Sequence, residues 1–198
     1  MAAARAEHVE TNEAQPRAPG AGAGKKVAAG PVVRLTGTVA AADLEQGTWI
    51  VVLRASEIPH VVMLQAGTCY SLETDGNRRY PVRKLWRLVE AKRIPTLFCE
   101  LGSWAAGPVA AAYARHAKIE GEGDCFLPVQ EYCASWLADC AACAFPYELV
   151  PRLSSGGRLA RAVLAHLGEG AEWTSFTLPV YSRADIRRRI AEVRDVRG

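Results

Sequence analysis

Apolar residues come in short dense blocks through the first half of the chain and at helical spacing through much of the second. TWIVVLR (48–54) is a β-branched and aromatic run preceded by the turn-like Gln46-Gly47, and it predicts a strand. HVVML (60–64) and TCYSLE (68–73) flank Gln65-Ala66-Gly67 and read as a hairpin. After the turn Thr74-Asp75-Gly76-Asn77, RRYPV forms a further short strand. Leu85, Leu88 and Val89 recur at helical spacing in VRKLWRLVEAKR, and TLFCEL (96–101) reads as another strand. Beyond it, helices are expected from Trp104 to Ala117, interrupted or begun at Pro108, from Cys125 to Cys140, and over 157–168 with Gly168 as the stop. WTSFTLPVY (173–181) predicts a strand. Ser182 with Asp185 three residues on resembles a capping box opening a last helix, striped by Ile186, Ile190 and Val193.

This order of elements predicts an α+β fold, a small antiparallel sheet packed against helices. Residues 1–30 are rich in Ala, Gly, Pro and charge, too poor in bulky apolar groups to offset the entropy of ordering, and are expected to be a disordered tail. One α+β domain over 31–181 and a basic C-terminal helix over 182–198 complete the division. GAGAGKK (20–26) is not a phosphate loop, because Val27 stands where Ser or Thr is needed and no strand precedes it.

Composition narrows the function classes. Net charge is only +3, and the six arginines against three acids from Arg183 onward bring no recognition motif, so nucleic acid is an unlikely partner. No apolar run is long enough to cross a bilayer. The N-terminus lacks the apolar core of a secretory signal, and Ala2 excludes myristoylation. Six cysteines without an export signal are expected as reduced thiols in the cytoplasm.

Candidate chemistry centres on Cys125. It follows the loop GEGD, with Asp124 as an N-cap, at the mouth of an expected helix. Free N–H groups and the partial positive charge of a helix start favour a thiolate there. Pro128 is tolerated in a first turn, and the backbone N–H of Cys125 could help hold an oxyanion. His60, opening an expected strand, is the candidate base, and Glu73 the candidate partner for its imidazole. Hairpin register decides Glu73. A two-residue turn pairs Gln65 with Thr68 and sets His60 opposite Glu73, whereas a three-residue turn sets His60 opposite Leu72. His116 is the alternative base.

The run PHVVMLQAGTCYSLETDGNRRYPVRKLWRLVEAKRIPTLFCEL, followed by GDCFLPVQEYC, resembles permuted papain-like thiol hydrolases of the NlpC type, nearest their poxvirus and bacterial branches. LEQGTWIVVLR resembles the family's opening segment, with Thr48 where an acid is usual. The likeness spans residues 44–140. It implies a circularly permuted papain-like fold and a thiol hydrolase or acyltransferase cleaving an amide or ester bond. Cys125 would be the nucleophile, His60 the base and Glu73 the third polar group, with no cofactor and no metal. The substrate would be a small molecule, lipid or peptide. The alternative is a non-catalytic interaction protein on the same scaffold, of viral or host-modulating use.

Bland readings stand beside these. Cys125 can equally be a small core residue, and His60 and Glu73 can be solvated strand ends. Cys133, Cys140, Cys143 and His166 invite a zinc reading. Cys140-Ala-Ala-Cys143 lacks a second pair at suitable spacing, and Cys133 and Cys140 fall on an apolar stripe, so packing is preferred. Trp49, Trp86, Trp104 and Trp136 are expected in the core.

Overall fold

The computed structural model describes residues 28–119, 123–167 and 174–197. The strands are β1 (Ala28–Arg34), β2 (Thr48–Leu53), β3 (His60–Gln65), β4 (Thr68–Glu73), β5 (Gly76–Pro81), β6 (Thr96–Leu101), β7 (Leu159–Ala165) and β8 (Ser175–Val180). The helices are α1 (Val82–Lys92), α2 (Val109–Tyr113), α3 (Leu127–Ala134), α4 (Pro146–Ser155) and α5 (Arg183–Arg197), with 3-10 turns at Asp43–Glu45 and Ala138–Ala142. A six-stranded antiparallel sheet runs in the order β5-β4-β3-β2-β6-β7, and β1 pairs with β8 in a separate ribbon. The chain is therefore α+β, with an antiparallel sheet and helices.

Both faces of the sheet are covered, which explains why β2 reads as an unbroken apolar run. Trp49, Val51, Leu53, Val62, Leu64, Cys69 and Phe98 point to one face and pack on Leu44 and on Val82, Leu85 and Val89 of α1. Ile50, Val52, Val61, Met63, Tyr70, Leu72, Leu97 and Cys99 point to the other, against α2, α3, α4 and the β1–β8 ribbon. Residues adjacent along a strand thus belong to different layers. Gln65 ties the second layer to the strand ends. Its amide donates to Thr48 Oγ1 (3.2 Å) and the Gly107 carbonyl (2.8 Å), and its Oε1 accepts from Val109 N (2.9 Å) at the start of α2.

Three expectations change. Residues 157–168 do not form a helix: β7 lies there, paired with β6 from Thr96–Ala165 to Leu101–Leu159. Leu, Ala and Arg favour helix locally, but the open edge of β6 offers backbone partners, and Arg161 reaches Glu100 across the ladder (2.6 Å) and lies 5.0 Å over the Trp49 ring. The helix expected from Cys125 to Cys140 is the shorter α3 followed by the 3-10 turn. Its early end leaves Trp136 46% exposed, packed on Gly107, rather than in the core. Leu88 of α1 is likewise exposed, while Leu85 and Val89 are buried. Strand β1 starts at Ala28, within the stretch assigned to the tail. Residues 1–27, and Gly168, lie outside the described residues.

The capping box at the last helix is present. Asp185 N donates to Ser182 Oγ (3.2 Å), and Ser182 N donates to Asp185 Oδ2 (3.0 Å). Replacing Ser182 with Ala should lower stability by about 1 kcal/mol in urea unfolding followed by circular dichroism. An unchanged midpoint would show that packing alone holds α5.

Candidate functional site

The hairpin settles first. Gln65 pairs with Thr68, Leu64 with Cys69 and Met63 with Tyr70, so the turn is the two-residue Ala66-Gly67. Both turn residues have positive φ (46° and 75°), the pattern of a type I′ turn, which matches the twist of the flanking strands. This register places His60, Ser71 and Glu73 on one face of the sheet, because side chains alternate.

The β3–β4 ladder then stops at Met63–Tyr70, although β3 runs on to His60, paired with Leu53 of β2, and β4 runs on to Glu73, paired with Gly76 of β5. Alternate N–H groups of an antiparallel strand point to the same neighbour, so the N–H of Val61 faces the side where the ladder has ended. Cys125 occupies that place: its Sγ accepts from Val61 N at 3.3 Å. The thiol comes from the α3 layer and Val61 follows His60 directly, so the gap in the ladder brings Cys125 to the head of the histidine strand.

On the other face a polar chain leads away from the imidazole. His60 Nε2 lies 2.8 Å from Ser71 Oγ, and Ser71 Oγ donates to Glu73 Oε1 at 3.3 Å. Ser71 is fully buried, and the serine links the two residues that register had merely set opposite each other. Sequence reasoning passed over Ser71, although its polar side chain inside TCYSLE shares the strand parity of Glu73. The main chain supports the same edge, with Ile119 N donating to the Glu73 carbonyl (3.0 Å).

Cys125 sits in the turn before α3 and is half-buried. Asp124 shapes that turn, its Oδ1 accepting from Phe126 N at 2.8 Å. The expected activation of the thiol is reversed. Burial, aided by the neighbouring Asp124 charge, pushes Cys125 up to about 12, and hydrogen bonds from Val61 N–H and its own N–H offset this only in part. Burial also raises Asp124 above the usual carboxylate range, opposed by the Phe126 N–H and the positive charge of Arg183. The resting side chain is therefore a neutral thiol.

Aromatic residues close around it. Tyr113 of α2 is buried, its hydroxyl lying against the Met63 backbone N–H without closing a good hydrogen bond. Tyr181 is buried on the other side, stacked edge-on to Phe145 and Tyr147, with Tyr147 Oη donating to its carbonyl at 2.9 Å. A shallow open cleft between Gly123, Asp124 and the first turns of α5 adjoins the loop, lined by Arg183, Ile186, Arg187 and Ile190.

The remaining candidates lie elsewhere. His116 faces Glu131, Nε2 to Oε1 3.2 Å, and His166 faces Glu90 at 3.0 Å. Cys133, Cys140 and Cys143 are buried in the core beneath α3. Among the described residues, no three or more His, Cys, Asp or Glu side chains converge as a metal set, and no helix is long and apolar enough to cross a membrane.

Together these features define an α+β protein with a half-buried thiol seated at the head of a histidine-led strand. No family model, curated protein or solved structure matches the chain.

Proposed function

We propose that the chain is a thiol hydrolase or acyltransferase on a circularly permuted papain-like scaffold, acting on an amide or ester bond of a small-molecule, lipid or peptide substrate. The observation that carries this reading is the contact between Cys125 Sγ and the N–H next to His60, backed by the His60–Ser71–Glu73 chain. Because the resting thiol is protonated, this reading requires the His60 imidazole to turn toward the gap in the ladder and take the proton from Sγ as sulfur attacks the carbonyl carbon. The C–N or C–O bond then breaks, the leaving group takes the proton from His60, and water or an acceptor alcohol or amine cleaves the thioester. Ser71 and Glu73 orient the imidazole and stabilise its charged form. All six cysteines are free, which suits a reducing compartment such as the cytoplasm.

The test is capture of the acyl-enzyme. Incubation with a panel of p-nitrophenyl esters and acyl amides, acid quenching and intact mass analysis should reveal one acyl group on Cys125. Cys125→Ala should remove it, and His60→Gln should slow its formation by about 100-fold or more. No adduct with any substrate, or equal rates in His60→Gln, would sink the reading. A second reading, a non-catalytic interaction protein on the same fold, is favoured by the strong burial of the thiol, and it predicts the first of those outcomes.

A further inference from the structure

The charge of the chain is concentrated away from Cys125. Seven arginines and lysines stand against two carboxylates between Asp75 and Arg93, in a protein whose net charge is only +3. That segment is β5, the edge strand of the sheet, and α1, which lies on the first-described core. With Val82, Leu85 and Val89 buried beneath it, α1 turns Arg83, Lys84, Arg87, Leu88, Glu90 and Ala91 outward, Glu90 being paired with His166. Arg78 and Arg79 of β5, and Lys92 and Arg93 at the helix end, are exposed too.

On the α1 side one cation is held over an aromatic ring, Lys84 at 5.7 Å over Tyr80, whereas Arg79, cross-strand from Tyr70, lies 5.2 Å over that ring on the opposite face of the sheet. Such a contact limits the rotamer freedom that binding would otherwise remove. Two others are partly neutralised, Arg78 by Asp75 (2.6 Å) and Arg83 by Glu45 (2.5 Å). In the middle of the cations stands Leu88, 42% exposed.

We propose that this face docks the protein on an anionic lipid bilayer, with α1 lying in the plane of the headgroups. From Arg83 to Ala91 the helix presents a row about 12 Å long at 1.5 Å per residue. Basic residues on such a helix are attracted to acidic headgroups, and an outward leucine among them reaches the acyl boundary. A phosphodiester backbone would use the cations but has no place for the leucine. The Tyr80 ring beside this face, which could stack a base, is covered by Lys84. The proposal is independent of the chemistry assigned to Cys125.

Co-sedimentation with large unilamellar vesicles tests it, using phosphatidylcholine with about one-third phosphatidylserine and phosphatidylcholine alone. The protein should pellet with the acidic vesicles at low salt and be released as salt rises. Lys84→Glu with Arg87→Glu should weaken partitioning by about tenfold or more. Leu88→Gln, which leaves charge unchanged, should weaken it by roughly threefold to tenfold. Circular dichroism of these surface variants checks that they fold. No pelleting with acidic vesicles, equal pelleting with neutral ones, or an unaltered partition in Leu88→Gln would each overturn the proposal. So would duplex DNA or single-stranded RNA that binds more tightly than the acidic vesicles.

Discussion

Raising the pH from about 8 to about 10 is expected to remove several kcal/mol of folding stability, a large part of the whole stability of many domains. The cause is a set of buried thiols. Burial pushes Cys69, Cys99 and Cys125 up to about 12, and Cys133 also lies well above the ordinary thiol value of 9.0. In the unfolded chain these groups release protons from about pH 9 upward, while in the fold they hold them. The raised values therefore favour the folded state fully below pH 9, and the advantage is lost as pH rises toward 12. Each thiol contributes a loss on the order of 1 kcal/mol over that two-unit interval, so the four together give several.

Tyr80, Tyr113 and Tyr181 are raised as well by burial and extend the loss at higher pH. Urea midpoints under reducing conditions would measure it. Cys99→Ala, whatever its own cost, should reduce the pH dependence by about a quarter. A midpoint that does not fall across this range would show that these thiols ionise as readily in the fold as in the unfolded chain.

The second large effect concerns Cys125 alone. Iodoacetamide should modify it about a thousandfold more slowly than an ordinary thiol at the same pH, because a rise from 9.0 to about 12 lowers the thiolate fraction by that factor. Rates followed by peptide mass mapping should climb with pH up to the onset of unfolding, with no plateau near neutrality. Asp124→Asn should speed the reaction: the amide oxygen can still accept from Phe126 N–H, while the neighbouring negative charge is gone. Rapid, stoichiometric modification of Cys125 at mildly acidic pH would instead mean a preformed thiolate–imidazolium pair. In that case the thiol would be activated before substrate arrives, and the proton transfer assigned to His60 would precede binding.

The contrast between sequence and structure is sharpest at this residue. From sequence, Cys125 is a helix-mouth thiol whose local setting lowers its affinity for the proton. In the fold it sits one turn before α3, half-buried beside the buried Asp124, Tyr113 and Tyr181, and desolvation prevails. A partial helix charge acts only around the first turn, whereas removing a thiolate from water acts at full strength on the ion itself. That balance depends on which side chains close over the sulfur, and Tyr113, Asp124 and Tyr181 come from three separate stretches of chain.

The local pattern determined a good deal. Strands β3, β4 and β6, the helix in VRKLWRLVEAKR and the capping box at Ser182 all follow from alternation, helical spacing and end signals, which are properties of neighbours in sequence. The two-residue hairpin was one of two registers open to the sequence, and glycine at its second position suited the φ of 75° found there. Tertiary structure decided the rest. It turned a helix-favouring Leu-Ala-Arg stretch into β7, because an open strand edge supplies hydrogen bonds that local propensity cannot match. It also ended the β3–β4 ladder early, and so placed the Cys125 sulfur on the N–H of Val61 and Ser71 between His60 and Glu73. A missing pair of backbone hydrogen bonds leaves no mark in composition or periodicity, since it is fixed by what packs into the gap.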